Sequence, residues 1–298
     1  MRVLAIAVTF NPDPALLLDV LQAVAPQVHA VLVVDNGSSN ADSIHQIASK
    51  LGAAFIANHQ NAGIAAAQNQ GIALAQRDQF SHVLLLDQDT ILSPGVIDNL
   101  SHQLQSLERE HGAIAAIGPA YFEIHSKRHT QAYRSAGLQL ARVPLEAKMQ
   151  AIPSDFIIAS GSLIPIAAFE AVGKFNERLF IDLVDVDWCL RARAIGLPVF
   201  VLPTAAVDHQ LGSGTVNVGR RQVAVHAPVR DYYWVRNALW LARQHYTPLA
   251  WRLYLIRRSL TFLAIYTIFA DHRGLRLKLM GLGVVHSISG RLGPLNQE

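Results

Sequence analysis

The chain has 298 residues, 51% of them apolar, a net charge of +3 and one cysteine, Cys189. That is enough for one large domain, or for one domain with an appendage. A lone cysteine excludes a disulfide framework and a cysteine-rich zinc site, and fits a reducing compartment. The N-terminus "MRVLAIAVTFNPDP" has neither a long apolar region nor a small-residue cleavage site, so no signal peptide is expected. No stretch has the length of uninterrupted apolar residues that spanning needs; the nearest, Ser259 to Ala270, is too short to cross a bilayer. Charge is uneven. Residues 220–298 carry twelve Arg/Lys against Asp231, Asp271 and Glu298, a net of +9 that leaves −6 on residues 1–219. Such a basic tail points to an anionic surface or phosphate groups, or else is the solvated face of packed helices.

The first half alternates strand and helix patterns. "VLAIAVT" (3–9) is a buried strand, and "DPALLLDVLQAVA" a helix with Asp13 as N-cap and Pro14 at its first position. Strands are expected at 30–38, 53–58, 82–87 and 113–119, with helices at 63–76 and 95–109. This alternation implies a parallel sheet covered on both faces, a fold that binds ligands beyond the carboxyl ends of its strands. Polar clusters stand at those ends: Thr9-Phe10-Asn11, Asp35-Asn36, Asn58 to Asn61, and Asp87-Gln88-Asp89. The form is nucleotide-binding, yet GxGxxG after the first strand and GxxxxGK[ST] are both missing. Residues 120–160 read as short strands and loops. A helix over 186–195 ends at Gly196, with Asp182, Asp185 and Asp187 at its start, where carboxylates also serve as caps.

The segments "VVDNGS", "NAGIAAAQNQGI", "LLLDQDT", "SGSLI", "FIDLVDVDWCLRARAIG" and "DHQLG" occur in the order seen in inverting glycosyltransferases of family 2. The chain resembles that family from Val3 to about Gly293, and "LLDQD" and "RDYYWVRN" resemble its rhamnosyltransferase branch. The resemblance implies an α/β GT-A fold: a Rossmann-like, mostly parallel sheet flanked by helices. A catalytic domain over 1–219 would precede a basic amphipathic helical extension over 220–298. It also implies a D-x-D motif in which Asp89 ligates Mg2+ or Mn2+, with Asp87 facing the ribose or the ion's water shell; hard oxygen ligands suit such ions. His209 would lie near the ion and the diphosphate. Thr9 and Asn11 would be donor contacts, Asp35 would accept the imide N–H of uracil or thymine, and Asn61 would be a donor contact or a helix cap. Gly63 would let backbone approach the nucleotide, and Asn69 would fix the loop that carries the base.

By the same resemblance Asp185 is the base that activates the acceptor hydroxyl, with Asp187 and Asp182 as alternatives. Val184 stands where the family commonly has Glu. Ser160, Gly161, Asp182 and Trp188 would line the acceptor site. Arg230 and Arg236, at helical spacing, would fork onto donor phosphates. The implied reaction moves L-rhamnose from dTDP-L-rhamnose to a lipid or lipid-linked saccharide, in cell-surface polysaccharide or glycolipid synthesis. It would run at the cytoplasmic face of the membrane, with no nucleic-acid partner. A UDP-hexose or UDP-galactofuranose donor is the nearest alternative, and a non-catalytic nucleotide-sugar-binding scaffold the next. The basic, aromatic-rich segment after residue 249 suits a membrane interface or a homodimer contact.

Overall fold

The computed structural model describes residues 1–123, 128–129, 131–146, 150–209, 215–218, 221–224 and 227–295. In chain order the first half comprises β1 (Val3–Thr9), α1 (Pro14–Val24), β2 (Ala30–Asp35), α2 (Ala41–Lys50), β3 (Ala54–Ala57), α3 (Ile64–Arg77), β4 (His82–Asp87), β5 (Thr90–Ile91) and α4 (Val96–His111). Next come β6 (Ala116–Glu123), β7 (Arg128–His129), β8 (Ala132–Ala136), β9 (Gln139–Val143), β10 (Ile152–Ser154), β11 (Leu163–Pro165), α5 (Ile166–Val172), α6 (Val184–Ala194) and β12 (Val199–His209). The short strands β13 (Thr215–Val218) and β14 (Arg221–Ala224) precede α7 (Pro228–Leu241), α8 (Leu249–Phe269) and α9 (Arg273–Ser289).

The main sheet runs β10-β12-β6-β11-β4-β1-β2-β3. The expected parallel core is present: β1 pairs in parallel with β2 and β4, β2 with β3, and β6 with β12. One departure lies at the centre, where β11 runs antiparallel between β4 and β6. Its three residues are too few to show a period, so the sequence does not mark it. The strand expected at 113–119 begins later, at Ala116, and the one expected at 30–38 stops at Asp35.

Period-two alternation divides the core into two layers. Leu4, Ile6 and Val8 of β1 pack with Ala67 and Ile72 of α3, Phe169 of α5 and Trp188 of α6. Val3, Ala5 and Ala7 point the other way, toward Leu17 and Leu21 of α1, Ile44 of α2 and Leu100 and Leu104 of α4. Asp13 caps α1 as expected, accepting from the Ala15 amide at 2.8 Å.

The last three helices are fastened to this body and to one another. A Cβ on Gly283 of α9 would stand 2.8 Å from the Tyr232 carbonyl of α7, so the two backbones meet where a larger residue cannot fit. Arg276 of α9 donates to Asp231 of α7 at 2.6 Å, both side chains almost wholly buried. Trp251 of α8 enters an aromatic group with Tyr133, Phe156 and Tyr254, and its indole donates to Asp155 at 2.9 Å.

Removing one partner of a buried ion pair strands the other charge, at a cost of about 3–5 kcal/mol. Arg276→Met should lower the urea-unfolding free energy by that amount. Arg276→Met with Asp231→Leu should recover most of it. A double variant as unstable as the single one would show that the pair is not the cause.

Candidate active site

Two stretches of chain meet at the carboxyl ends of the central strands. From the sheet comes "DQDT": β4 ends at Asp87, and the turn to β5 carries Asp89. The Asp87 amide donates to the Ser160 hydroxyl at 2.8 Å, and that hydroxyl donates to Thr90 at 2.9 Å. Gly161, at φ +71°, donates its amide to Leu85 at 2.6 Å. Ser160 and Gly161 therefore brace the end of β4 from beneath, whereas the sequence reading places them at an acceptor.

From the other side come the loop 179–183 and the start of α6. Phe180 has φ +67° and ψ −64°, with the Ile181 amide bonded to the Leu179 carbonyl at 2.8 Å, a γ-turn of the rare positive-φ kind. Asp182 and Leu183 also have positive φ, of 65° and 62°. Side chains disfavour this backbone, so the surroundings must hold it. Asn237 of α7 donates its amide to the carbonyls of Leu179, Ile181 and Asp182 at 3.0, 2.8 and 2.9 Å. Arg236 adds a bond to Leu179 at 2.8 Å, and the Phe180 ring stacks on Tyr233 at 4.9 Å. On the far side the Ile64 amide donates to the Phe180 carbonyl at 2.8 Å. A Cβ on Gly63 would lie 2.6 Å from that same oxygen.

These contacts revise several expectations. Gly63 permits close approach of Phe180 rather than of a nucleotide. Arg236 is fully buried and spent on loop carbonyls, so it does not face donor phosphates. Asn69 fixes a different loop from the one expected, bonding the Phe175 backbone in both directions and Glu177 at 2.8 Å. Trp188 is 1% exposed, its indole bonded to the Gly173 carbonyl, and belongs to the core. Asp187 is buried against Arg191 at 3.0 Å and the Tyr246 hydroxyl, which leaves it no free face for a base. Asn61 accepts from Asn36 at 3.0 Å and from the Gly63 amide at 2.9 Å, a turn contact rather than a cap on α3. Thr9 and Asp35 are both fully buried and bonded to each other at 2.9 Å; Asp35 also takes the Ser38 amide and hydroxyl. Asn11, at φ +48°, accepts from Ser39 at 2.8 Å. The Thr9–Asp35 pair thus shapes the turn that would border a base, and Phe10, to which the sequence reading gave no role, is exposed beside it. His209 ends β12 opposite Thr90 in register, but its side chain lies outside the described residues, as do residues 210–212 of its motif.

Asp87, Asp89, Asp182, Asp185 and Arg230 are what remain around the opening. Arg230 of α7 forks onto Asp182, at 2.5 and 3.3 Å. Asp185 accepts the Val186 amide at 2.8 Å. Behind it lies an apolar cavity lined by Leu85, Ile157, Ile164, Phe175, Trp188 and Cys189. Burial pushes the Asp185 carboxyl up to about 6, and the charge of Asp87 adds to the effect. Asp87 is also pushed up to about 6, by burial first and by Asp89 second, with Arg230 opposing. Three carboxylates thus share one poorly solvated space, each felt by the next.

The family model for glycosyl transferase family 2 matches residues 5–172. The dTDP-rhamnosyl transferase RfbF of Shigella flexneri is 31% identical over 269 residues, 89% of this chain and 87% of that protein. Among solved structures, S. aureus TarS 1–349 superposes with a TM-score of 0.59 at 14% identity, over 98% of this chain and 82% of that one. GalNAc-T7 with UDP, GalNAc and Mn2+ does so with a TM-score of 0.54 at 12% identity, over 97% and 57%. At such identities the structural likeness speaks for the fold alone, which is GT-A with C-terminal helices.

Two outcomes follow from the geometry. Asn237→Leu keeps volume but takes the side-chain donor from the Ile181 and Asp182 carbonyls, at about 1–3 kcal/mol for each group left unsatisfied, while Leu179 keeps Arg236; urea unfolding should show a loss of several kcal/mol. For Asp185 the native pKa lies above the unfolded value. The native state therefore holds the extra proton between roughly pH 4 and 6. Stability from this group falls as pH rises through that window and stays low above it, by on the order of 3 kcal/mol. Asp185→Asn should melt at or above the parent temperature at neutral pH, and the advantage should shrink as pH drops toward 5. A variant that melts well below the parent at neutral pH would refute this.

Proposed function

The chain belongs to glycosyl transferase family 2, and we propose that it transfers L-rhamnose from dTDP-L-rhamnose, with inversion and with a divalent ion, to a lipid or lipid-linked saccharide. Glycosyl transfer itself follows from the family and from the relative. The identity of the sugar draws on the name of the Shigella flexneri relative and on the motifs "LLDQD" and "RDYYWVRN". The observation that carries the mechanism is the meeting of Asp87 and Asp89 at the end of β4 with Asp185 at the start of α6, close enough for Asp87 to raise the Asp185 pKa.

Asp185 takes the proton of the acceptor hydroxyl. At a pKa near 6 it is a stronger base than a solvated carboxylate, and it is still mostly ionised at neutral pH. The acceptor oxygen bonds to the anomeric carbon as the bond to the donor diphosphate breaks. One in-line displacement inverts that carbon, through an oxocarbenium-like transition state. Arg230, forked on Asp182 and felt by Asp87, stands where it can hold a phosphate oxygen as charge develops there. Phe10 and the Asn11–Ser38 turn border the space for the thymine ring, with Phe10 offering an exposed face.

Asp89 and Asp87 supply the hard oxygen donors that Mg2+ or Mn2+ takes. Among the described residues no third carboxylate, histidine or cysteine completes a protein cage. That donor set fits an ion that keeps waters and binds together with substrate phosphates. When bound, the ion neutralises charge on the leaving diphosphate. The acceptor reading, and with it a place at the inner face of the membrane, draws on the basic C-terminal helices. Among the described residues no helix is long and apolar enough to cross a bilayer.

Asp185→Asn should bind dTDP-L-rhamnose as the parent does and lose roughly 10²–10⁴-fold in turnover. Asp89→Ala should lose the chelator-sensitive part of donor binding in calorimetry. Turnover retained in Asp185→Asn, or lost only in Asp187→Asn, would move the base elsewhere. Faster hydrolysis of a UDP-sugar than of dTDP-L-rhamnose would change the donor.

A further inference from the structure

Helix α8 is apolar on two opposite faces. Trp251, Leu255, Ser259 and Tyr266, at helical spacing, face the protein and are buried. Leu249, Leu253, Ile256, Leu260 and Leu263 face away; each is at least 36% exposed and Leu260 is 62% exposed. Their spacings of four, three, four and three residues align them in one straight ridge. A ridge of large apolar side chains left in water marks a surface that meets something.

Charge decides what that is. Neither α8 nor α9 contains an acidic residue. Arg257 is exposed beside the ridge, next to Ile256, whereas Arg258, seven residues after Trp251, lies on the opposite side of the helix, 4.5 Å over the Phe262 ring. A second copy of the chain is the obvious occupant of a ridge with this period, but the flanking residues oppose it. In a parallel pair the residue before one ridge position faces the residue five places on in the partner helix, which sets Arg252 against Arg257. An antiparallel pair sets like flanks against each other and again opposes arginines. Exposed Arg273 and Lys278 of α9 extend the same sign, and Leu277 and Ile288 of that helix are exposed as well.

We propose that the outward face of α8 is a docking surface for an anionic lipid bilayer, with the apolar ridge set into the acyl boundary and Arg257 at the headgroups. This deepens the proposed acceptor reading by naming the surface that brings the site to a membrane, but it needs none of the catalytic assignments. Arg252 is left out of the test because its guanidinium bonds the carbonyls of Gln244 and Thr247 and holds the turn before α8.

The full chain is sedimented with phosphatidylglycerol/phosphatidylcholine vesicles and with phosphatidylcholine alone, at low and high salt. The parent should bind the anionic vesicles and leave the neutral ones. Arg257→Gln should weaken partitioning about fivefold, the worth of one basic residue at the surface. Leu253→Gln with Leu260→Gln should also weaken it, and should make the residual binding fully salt-reversible. Failure of the parent to bind, equal binding to neutral vesicles, or binding unchanged in both variants would overturn the proposal. So would a dimer in light scattering that Leu253→Gln with Leu260→Gln converts to monomer. Donor hydrolysis in vesicle-free solution should be the same in all of them; its loss in the parent would count against the catalytic reading and leave the vesicle result standing.

Discussion

The loop 179–183 is the constraint on which the site depends. Its backbone takes three positive-φ conformations in four residues, none of them at a glycine. An unsupported chain would relax out of such a state, at a gain of order 1–3 kcal/mol per residue. Here α3 and α7 close on it from two sides. The Ile64 amide and the bare Cα of Gly63 meet the Phe180 carbonyl, and Asn237 and Arg236 occupy the remaining carbonyls. Asp182 and Asp185 are placed by this loop, since α6 begins directly from its left-handed end at Leu183. The helix α7, read from the sequence as the start of an appended segment, is therefore part of what shapes the site.

The same arrangement sets the electrostatics. Asp87 and Asp89 come from the sheet and Asp185 from α6, and the two groups meet with apolar packing behind them. Burial raises Asp87 and Asp185 together, with the charge of Asp89 adding at Asp87 and that of Asp87 adding at Asp185. Arg230 is the cation that bears on Asp87, and it is already forked onto Asp182. The strand built for burial ends in two acids that face further carboxylates on a braced loop, and Arg230 is the charge that offsets the repulsion at Asp87. An arrangement of this kind favours whatever brings positive charge between them.

The sequence was legible wherever the signal is local. Apolar runs gave the parallel strands, Asp13-Pro14 gave the start of α1, and the order of short motifs gave the family. Where a side chain's partner lies far along the chain, the reading failed in a consistent direction. Arg236, Asn69 and Trp188 all carry hydrogen-bonding groups next to functional motifs, and all three are turned inward. Arg236 meets Leu179, 57 residues away, and Asn69 meets Phe175, 106 residues away. A polar residue that satisfies a buried backbone looks, in one dimension, the same as one that waits for a ligand. Asp35 misled in the same manner, because its carboxylate is consumed by Thr9 and Ser38 within the turn it closes. The one signal that could have separated these cases was the three non-glycine residues at positive φ, and no sequence displays it.

The basic tail shows how far a charge count can mislead before geometry sorts it. Of the arginines behind the net +9, Arg236 and Arg276 are buried and Arg230 points into the site. These three act on carbonyls and carboxylates inside the molecule, and they tie α7 and α9 to the loop 179–183 and to each other. Only the rest can contribute to an external field. On α8 Arg257 sits beside an apolar ridge, in a helix with no acid to balance it, so charge and hydrophobicity meet at one face. The inner face of the same helix is held by Trp251 and its aromatic neighbours, which tie it back to Asp155 and the β8–β9 hairpin. A helix with two apolar faces has no single amphipathic stripe to read. The pattern becomes intelligible once one face is seen to be filled by the protein, which leaves the other, edged by Arg257, for the docking proposed above.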